Sequence, residues 1–160
     1  MHFDLIDTVL EQSPTSITTI KQVSRAEEYL QDHFADFPVL PGVLMLEAMV
    51  HAARRLLETN DQCSGASPRR YVLGAVRALK YGAFVRPGFA LRVRVEIFKS
   101  DTAAGATEFK GSAELIGPIG APSAPNAQSA AEPEIAAAGR FTLRPVRLDV
   151  PESPPALVAS

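Results

Sequence analysis

Residues 91–98 alternate strictly. Leu91, Val93, Val95 and Ile97 fall on one face and Arg92, Arg94 and Glu96 on the other. A period of two with one apolar face predicts a half-buried antiparallel strand over Leu91–Phe98. Phe109–Ile116 and Ile135–Arg144 read as strands too. So does the extended region formed by Tyr71–Val76 and Ala78–Phe84, with a bend near Gly74 or Arg77, ahead of a turn at Pro87-Gly88. Upstream, Phe3–Leu10 and the β-branched run Ile17–Val23 predict a hairpin across Glu11–Ser16. The period then changes. Val43, Leu44, Leu46, Met49, Val50, Ala53, Leu56 and Leu57 cover most of a helical circumference, which predicts a buried helix over Gly42–Glu58 and a polar loop over Thr59–Ser67. Ser24 and Glu27 have the spacing of a capping box, predicting a short helix over Arg25–Gln31. Between the two helices, Pro38 and Pro41 exclude regular helix.

The chain has 160 residues, 46% hydrophobic and 21% charged, enough for one domain with a real core. The domain is expected to span residues 1–145. Residues 117–134, GPIGAPSAPNAQSAAEPE, lack apolar periodicity and read as a flexible loop between neighbouring strands, and 146–160 read as an extended or disordered tail. One long buried helix among about six mostly antiparallel strands is an α+β pattern. A single sheet wrapped around a central helix satisfies it, though alternation alone does not choose that arrangement over other α+β folds.

A net charge of −2 predicts neither a nucleic-acid binder nor a membrane-surface protein. The longest apolar stretch, Val43–Leu57, is interrupted by Glu47, His51, Arg54 and Arg55, too charged and too short for a bilayer span. Cys63 is the single cysteine. It has no partner for an intrachain disulfide or a zinc motif, and it fits a reducing, cytoplasmic compartment. The opening residues MHFDLIDTVLEQ carry acids and no basic n-region, so no secretory signal is expected there.

Two side chains carry candidate chemistry. Glu47 sits mid-helix among Leu46, Ala48 and Met49, where a carboxylate needs a partner, a raised pKa or water. His33 lies in the loop before that helix, and imidazole is the group best suited to proton transfer near neutral pH. The two make an acid–base pair on one reading. On the other, Glu47 is an interior acid satisfied by Arg or backbone groups and His33 an ordinary loop histidine.

The whole segment decides between them. Residues 33–51, HFADFPVLPGVLMLEAMVH, closely resemble the signature of the FabZ-type β-hydroxyacyl-ACP dehydratases: histidine, phenylalanine, two prolines, the Pro-Gly entry to a helix and the helical acid, all at matching spacings. Weaker similarity covers residues 3–116 and 135–145, including VLGAVRALKYGAFVRPG and EFKGSA. The resemblance implies a hotdog fold, an antiparallel sheet wrapped around a long central helix. It also implies a lyase of fatty-acid synthesis that removes water from a (3R)-3-hydroxyacyl thioester to give a trans-2-enoyl thioester. His33 would take the C2 proton and Glu47 would deliver a proton to the 3-hydroxyl. Gly42 at the helix start and the Asp36 amide are candidate donors to the thioester carbonyl. Asp36, Gly42, Val43 and His51 are the expected substrate contacts. No metal or redox cofactor is implied, because the substrate rides on the phosphopantetheine of an acyl carrier protein, with a CoA thioester as the rival. The family also implies a homodimer or trimer of dimers, with His33 from one chain meeting Glu47 of the other. Arg54, Arg55, Arg69, Arg70, Lys80 and Arg86 are candidates for meeting the carrier.

The chain departs from the pattern at several positions. Ala35 and Asp36 replace Pro and Gly, His51 replaces Gln, and Phe89 replaces Asp. The basic run is reduced to Lys80 and Arg86, and the family's N-terminal helix is missing. His51 shares a helix face with Glu47 and is read as a partner for the acid or an altered substrate contact. A thioester hydrolase and a non-catalytic acyl-binding protein are the other readings. A metal site from Asp32, His33, Asp36, Glu47 and His51 has the residue types but not a family-like spacing.

Overall fold

The computed structural model describes residues 4–65, 69–101, 105–117 and 133–146. Most of the predicted loop 117–134 and of the tail 146–160 therefore lies outside the described residues. The strands are β1 (Thr8–Gln12), β2 (Ser16–Gln22), β3 (Tyr71–Tyr81), β4 (Ala90–Asp101), β5 (Ala106–Ile116) and β6 (Ile135–Pro145), with one α-helix, α1 (Gly42–Cys63), between β2 and β3. They form a six-stranded sheet in the order β1-β2-β4-β5-β6-β3, every neighbouring pair antiparallel. The helix packs against β2 through β6. This is the expected hotdog fold.

The alternation in β4 is realised. Leu91, Val93 and Val95 are fully buried under the helix while Arg92 and Arg94 are exposed. On β5 the helix-facing positions are Thr107, Phe109, Gly111 and Ala113. A Cβ on Gly111 would stand 2.6 Å from Met49 Sδ, so a side chain there would push the helix off the sheet. Phe109 stacks on its cross-strand partner Phe141 with centroids 5.5 Å apart. The bend expected in β3 appears twice, as register shifts at Leu73/Ala75 and Arg77/Lys80, with Ala78 in the left-handed region at φ 51°.

Several boundaries differ from expectation, and at three of them side chains supply a competing partner. The first strand, expected over Phe3–Leu10, begins at Thr8, since Asp4 Oδ1 accepts the Ile6 amide in a local turn and the Leu5 amide turns to His51; Phe3 itself lies outside the described residues. The helix predicted over Arg25–Gln31 shrinks to a single 3₁₀ turn, Glu28–Leu30. Ser24 Oγ does accept the Ala26 amide, but Glu27 pairs with Lys21 Nζ at 2.7 Å rather than returning to Ser24. β3 ends at Tyr81, short of Phe84. The long helix runs on to Cys63 because Asp61, buried four residues after Leu57, finds Arg69 and Tyr71. The helix is also not covered all round, since Val43 is 68% exposed.

Candidate active site

His33 is held by the irregular loop that enters α1. The Phe34 and Phe37 amides each donate to the other residue's carbonyl, the Val39 amide donates to the His33 carbonyl, and the Leu40 amide ties the loop to Val85. The His33–Phe34 peptide is cis. The His33 ring stacks on Phe34 with centroids 4.3 Å apart, and its Nδ1 lies 2.9 Å from the Val39 carbonyl. A carbonyl only accepts, so Nδ1 carries the hydrogen and Nε2 the lone pair, which is the form of a proton acceptor. His33 stands in the wall of a cavity of about 540 Å³, lined by Val39, Leu40, Met45 and the backbone of Gly82, with Phe34, Val43, Tyr81 and Phe84 partly exposed around it. Apart from the imidazole and the Tyr81 phenol the lining side chains are apolar, as an acyl chain requires.

Of the expected substrate contacts, Gly42 and Val43 line this cavity. Gly42 is the first residue of α1, where helical amides lack partners within the helix. The Tyr81 ring lies so close that a Cβ on Gly42 would come within 2.9 Å of it. Asp36 is exposed in the loop and does not line the cavity. It is not in the left-handed region, because Ala78 is the non-glycine residue found there among the described residues.

Glu47 lies on α1 and is not in the cavity wall; a single chain does not bring it to His33 within that cavity. Two donors converge on its Oε1, His51 Nε2 at 3.1 Å and Arg54 NH1 at 3.1 Å. The His51 hydrogen bond, with Arg54 adding to it, holds the Glu47 carboxyl below its ordinary value, although partial burial works the other way. Glu47 is therefore ionised at neutral pH. Its neighbour His51 contacts the acid, not the cavity. The partner that sequence reading does not assign to Glu47 is Arg54, named there as a candidate for meeting the carrier. Residues 47, 51 and 54 stand at i, i+4 and i+7, one stripe of a helix, and that polar stripe in an apolar helix was the available signal. Among the described residues no cluster of His, Cys, Asp or Glu is arranged to hold a metal, and no helix is long and apolar enough to cross a membrane.

A family model described as a FabA-like domain matches residues 1–116. The chain belongs to the FabA-like family. Among curated FabA-like relatives, "3-hydroxyacyl-[acyl-carrier-protein] dehydratase FabZ" of Pediococcus pentosaceus is 36% identical over 104 residues, 64% of this chain and 68% of that protein. The protein of the same name from Ruminiclostridium cellulolyticum is 34% identical over 123 residues, 74% of this chain and 81% of that one. In Levilactobacillus brevis the match is 40% over 95 residues, and the chain there spans 62% of its relative. Two solved structures share the fold. The dehydratase heterocomplex ApeI:P from Xenorhabdus doucetiae has a TM-score of 0.69 at 16% identity, covering 90% of this chain and 84% of that one. An acyl-CoA hydrolase from Agrobacterium tumefaciens has a TM-score of 0.56 at 14% identity, covering 85% and 44%. One FabA-like scaffold thus resembles both a dehydratase and a hydrolase, and the choice of chemistry rests on the site.

Proposed function

We propose that this chain is a 3-hydroxyacyl-[acyl-carrier-protein] dehydratase, a hydro-lyase, working without metal or redox cofactor. The observation that carries the reading is the His33 tautomer: Nδ1 is engaged by the Val39 carbonyl, leaving Nε2 as a base in the wall of an apolar cavity. With an acyl thioester seated there, Nε2 takes the C2 proton while the amides at the start of α1 meet the charge growing on the thioester carbonyl. As the C2–C3 double bond forms, the C3–O bond breaks, and Glu47 engages the departing hydroxyl and delivers the proton that makes it water. The resting carboxylate first accepts a hydrogen bond from that hydroxyl. Displacement of water by the acyl chain then favours its protonated form, and Glu47 takes that proton from solvent before the C3–O bond breaks; the C2 proton held on His33 Nε2 returns to solvent afterwards, so one proton is taken up and one released per turnover.

A complete site takes Glu47 from a second copy. The reading is supported by the absence of Glu47 from the His33 cavity, by apolar Val43 and Phe84, 68% and 70% exposed near it, and by β3, which has a neighbour on one side only. A dimer made by joining two copies at these surfaces covers all three. A cytoplasmic setting and an acyl-carrier or CoA thioester partner follow from the same reading, with the Arg and Lys side chains near the cavity meeting the carrier.

The test is enoyl formation from a medium-chain (3R)-3-hydroxyacyl-ACP by the wild type, His33→Ala and Glu47→Gln, separately and mixed. In a dimer that shares its sites, a mixed pair contains one site with both residues intact. Co-refolded variants should then recover roughly a quarter of wild-type turnover while each alone stays near zero. Absence of recovery from a confirmed mixed dimer would place both residues in one chain's site. Release of free thiol in place of enoyl product would favour the hydrolase.

A further inference from the structure

The stripe on α1 extends beyond the helix. His51 Nδ1 receives the Leu5 backbone amide at 3.1 Å. An amide only donates, so Nδ1 must present its lone pair, and the ring hydrogen sits on Nε2, 3.1 Å from Glu47 Oε1. Asp4 Oδ1 stands 3.3 Å from the same Nδ1 and accepts the Ile6 amide at 3.0 Å, whereas the Leu5 amide is the shorter contact to that nitrogen and has only a hydrogen to offer it. The Leu5 side chain is 2% exposed in the core, which holds its amide in place. On the other side, Arg54 NH1 reaches Glu47 Oε1 while Arg54 Nε donates to the Tyr71 carbonyl at 3.0 Å, fixing the guanidinium to the start of β3. Glu47 is thus gripped at one oxygen by two anchored donors, which leaves Oε2 to meet a substrate hydroxyl.

We propose that His51 is a positioning residue for Glu47: the Leu5 amide selects its Nε2–H tautomer, and that hydrogen turns the Glu47 carboxylate toward the substrate. The inference rests on the dehydratase reading. A histidine whose ring is locked this way donates one N–H to the acid, and a glutamine amide is the side chain of similar reach that offers the same donor without a basic nitrogen. The donor, not the imidazole's basicity, is the property required.

The experiment compares His51→Leu with His51→Gln in the full chain, using 3-hydroxyacyl-ACP turnover, thermal unfolding and long-range ¹H–¹⁵N spectra of the wild-type imidazole. His51→Leu should lower kcat about 10- to 100-fold, the scale of one lost hydrogen bond to a charged group, with KM changed by less than about twofold. His51→Gln should bring kcat back to within roughly threefold of wild type, a rescue that a purely structural packing role would not give. The spectra should show hydrogen on Nε2 and none on Nδ1. The proposal is overturned if His51→Leu matches wild type, if His51→Gln is as impaired as His51→Leu, or if the ring carries its hydrogen on Nδ1. A wild type inactive on every thioester would sink the dehydratase reading, and the tautomer would then decide the His51–Glu47 contact by itself.

Discussion

Two acids on one helix have opposite surroundings. Asp61, near the end of α1, has its side chain 6% exposed and every oxygen engaged: Arg69 NH2 at 2.6 Å on Oδ1, and Arg69 Nε at 3.2 Å with the Tyr71 hydroxyl at 2.9 Å on Oδ2. Glu47, four turns earlier, is 30% exposed at its side chain, and its two donors share Oε1. Both carboxyls are held below their ordinary values, each chiefly by a side-chain hydrogen bond, from Arg69 in one case and His51 in the other. A depressed pKa therefore does not distinguish a site from a strut. The distinction lies in spare capacity. A saturated acid fastens the helix end to β3, whereas an acid with an open oxygen and water access can take part in chemistry.

Exchanging the acids for amides sharpens the contrast. The largest effects should come from His33→Ala and Glu47→Gln, each lowering kcat by about 10²–10⁴ in an enoyl-formation assay, with melting temperature little changed. Asp61→Asn should do the reverse. It keeps the shape but loses the charge that Arg69 and Tyr71 face, costing about 1–3 kcal/mol. For a chain of this size that corresponds to a melting-temperature drop of roughly 3–10 °C, while turnover of the folded enzyme stays near wild type. If Asp61→Asn removed turnover without lowering the melting temperature, spare capacity would be the wrong criterion. Arg54→Ala should fall between the two, because Arg54 serves Glu47 and the Tyr71 carbonyl at once. A roughly tenfold loss in kcat with about 1 kcal/mol of destabilisation is expected, read from the same two assays.

The same contrast explains what could be read in advance. The buried faces of β4 and α1, the bend in β3 and the spacing of His33 and Glu47 are periodic or local features, set by residues a few positions apart. The misjudged features depend on partners from elsewhere in the chain. Asp61 extends the helix only because Arg69 and Tyr71 lie within reach after the loop. The Ser24–Glu27 box fails because Lys21 on β2 claims the glutamate. The first strand starts late because His51, 46 residues away, takes the Leu5 amide. The sequence offers Arg54 only as a candidate for meeting the carrier because nothing local shows that Glu47 and the Tyr71 carbonyl are its partners. Asp36 entered the expected site through motif alignment, and its exposed place in the loop follows from paired Phe34 and Phe37 backbone groups that no motif records.

The smallest predicted effect is the dependence of stability on pH. Both acids have folded-state values below their unfolded ones, so between the two values the unfolded chain binds more protons and stability rises with pH. Their contribution is fully present above the ordinary carboxylate range, about 4, and is lost as pH falls through the depressed folded values. Denaturant unfolding of the wild type between pH 3 and 7 should show this fall at the acid end, and Asp61→Asn should flatten it, since Asp61 is buried and its partners cannot be replaced by water. Glu47→Gln should flatten it less, because water already reaches that side chain and screens the pair. The order of the two slopes, not their size, tests the comparison. A larger acid-end effect from Glu47→Gln than from Asp61→Asn would mean that Glu47 is the acid holding the fold, and an acid that holds the fold is not free to turn toward a substrate.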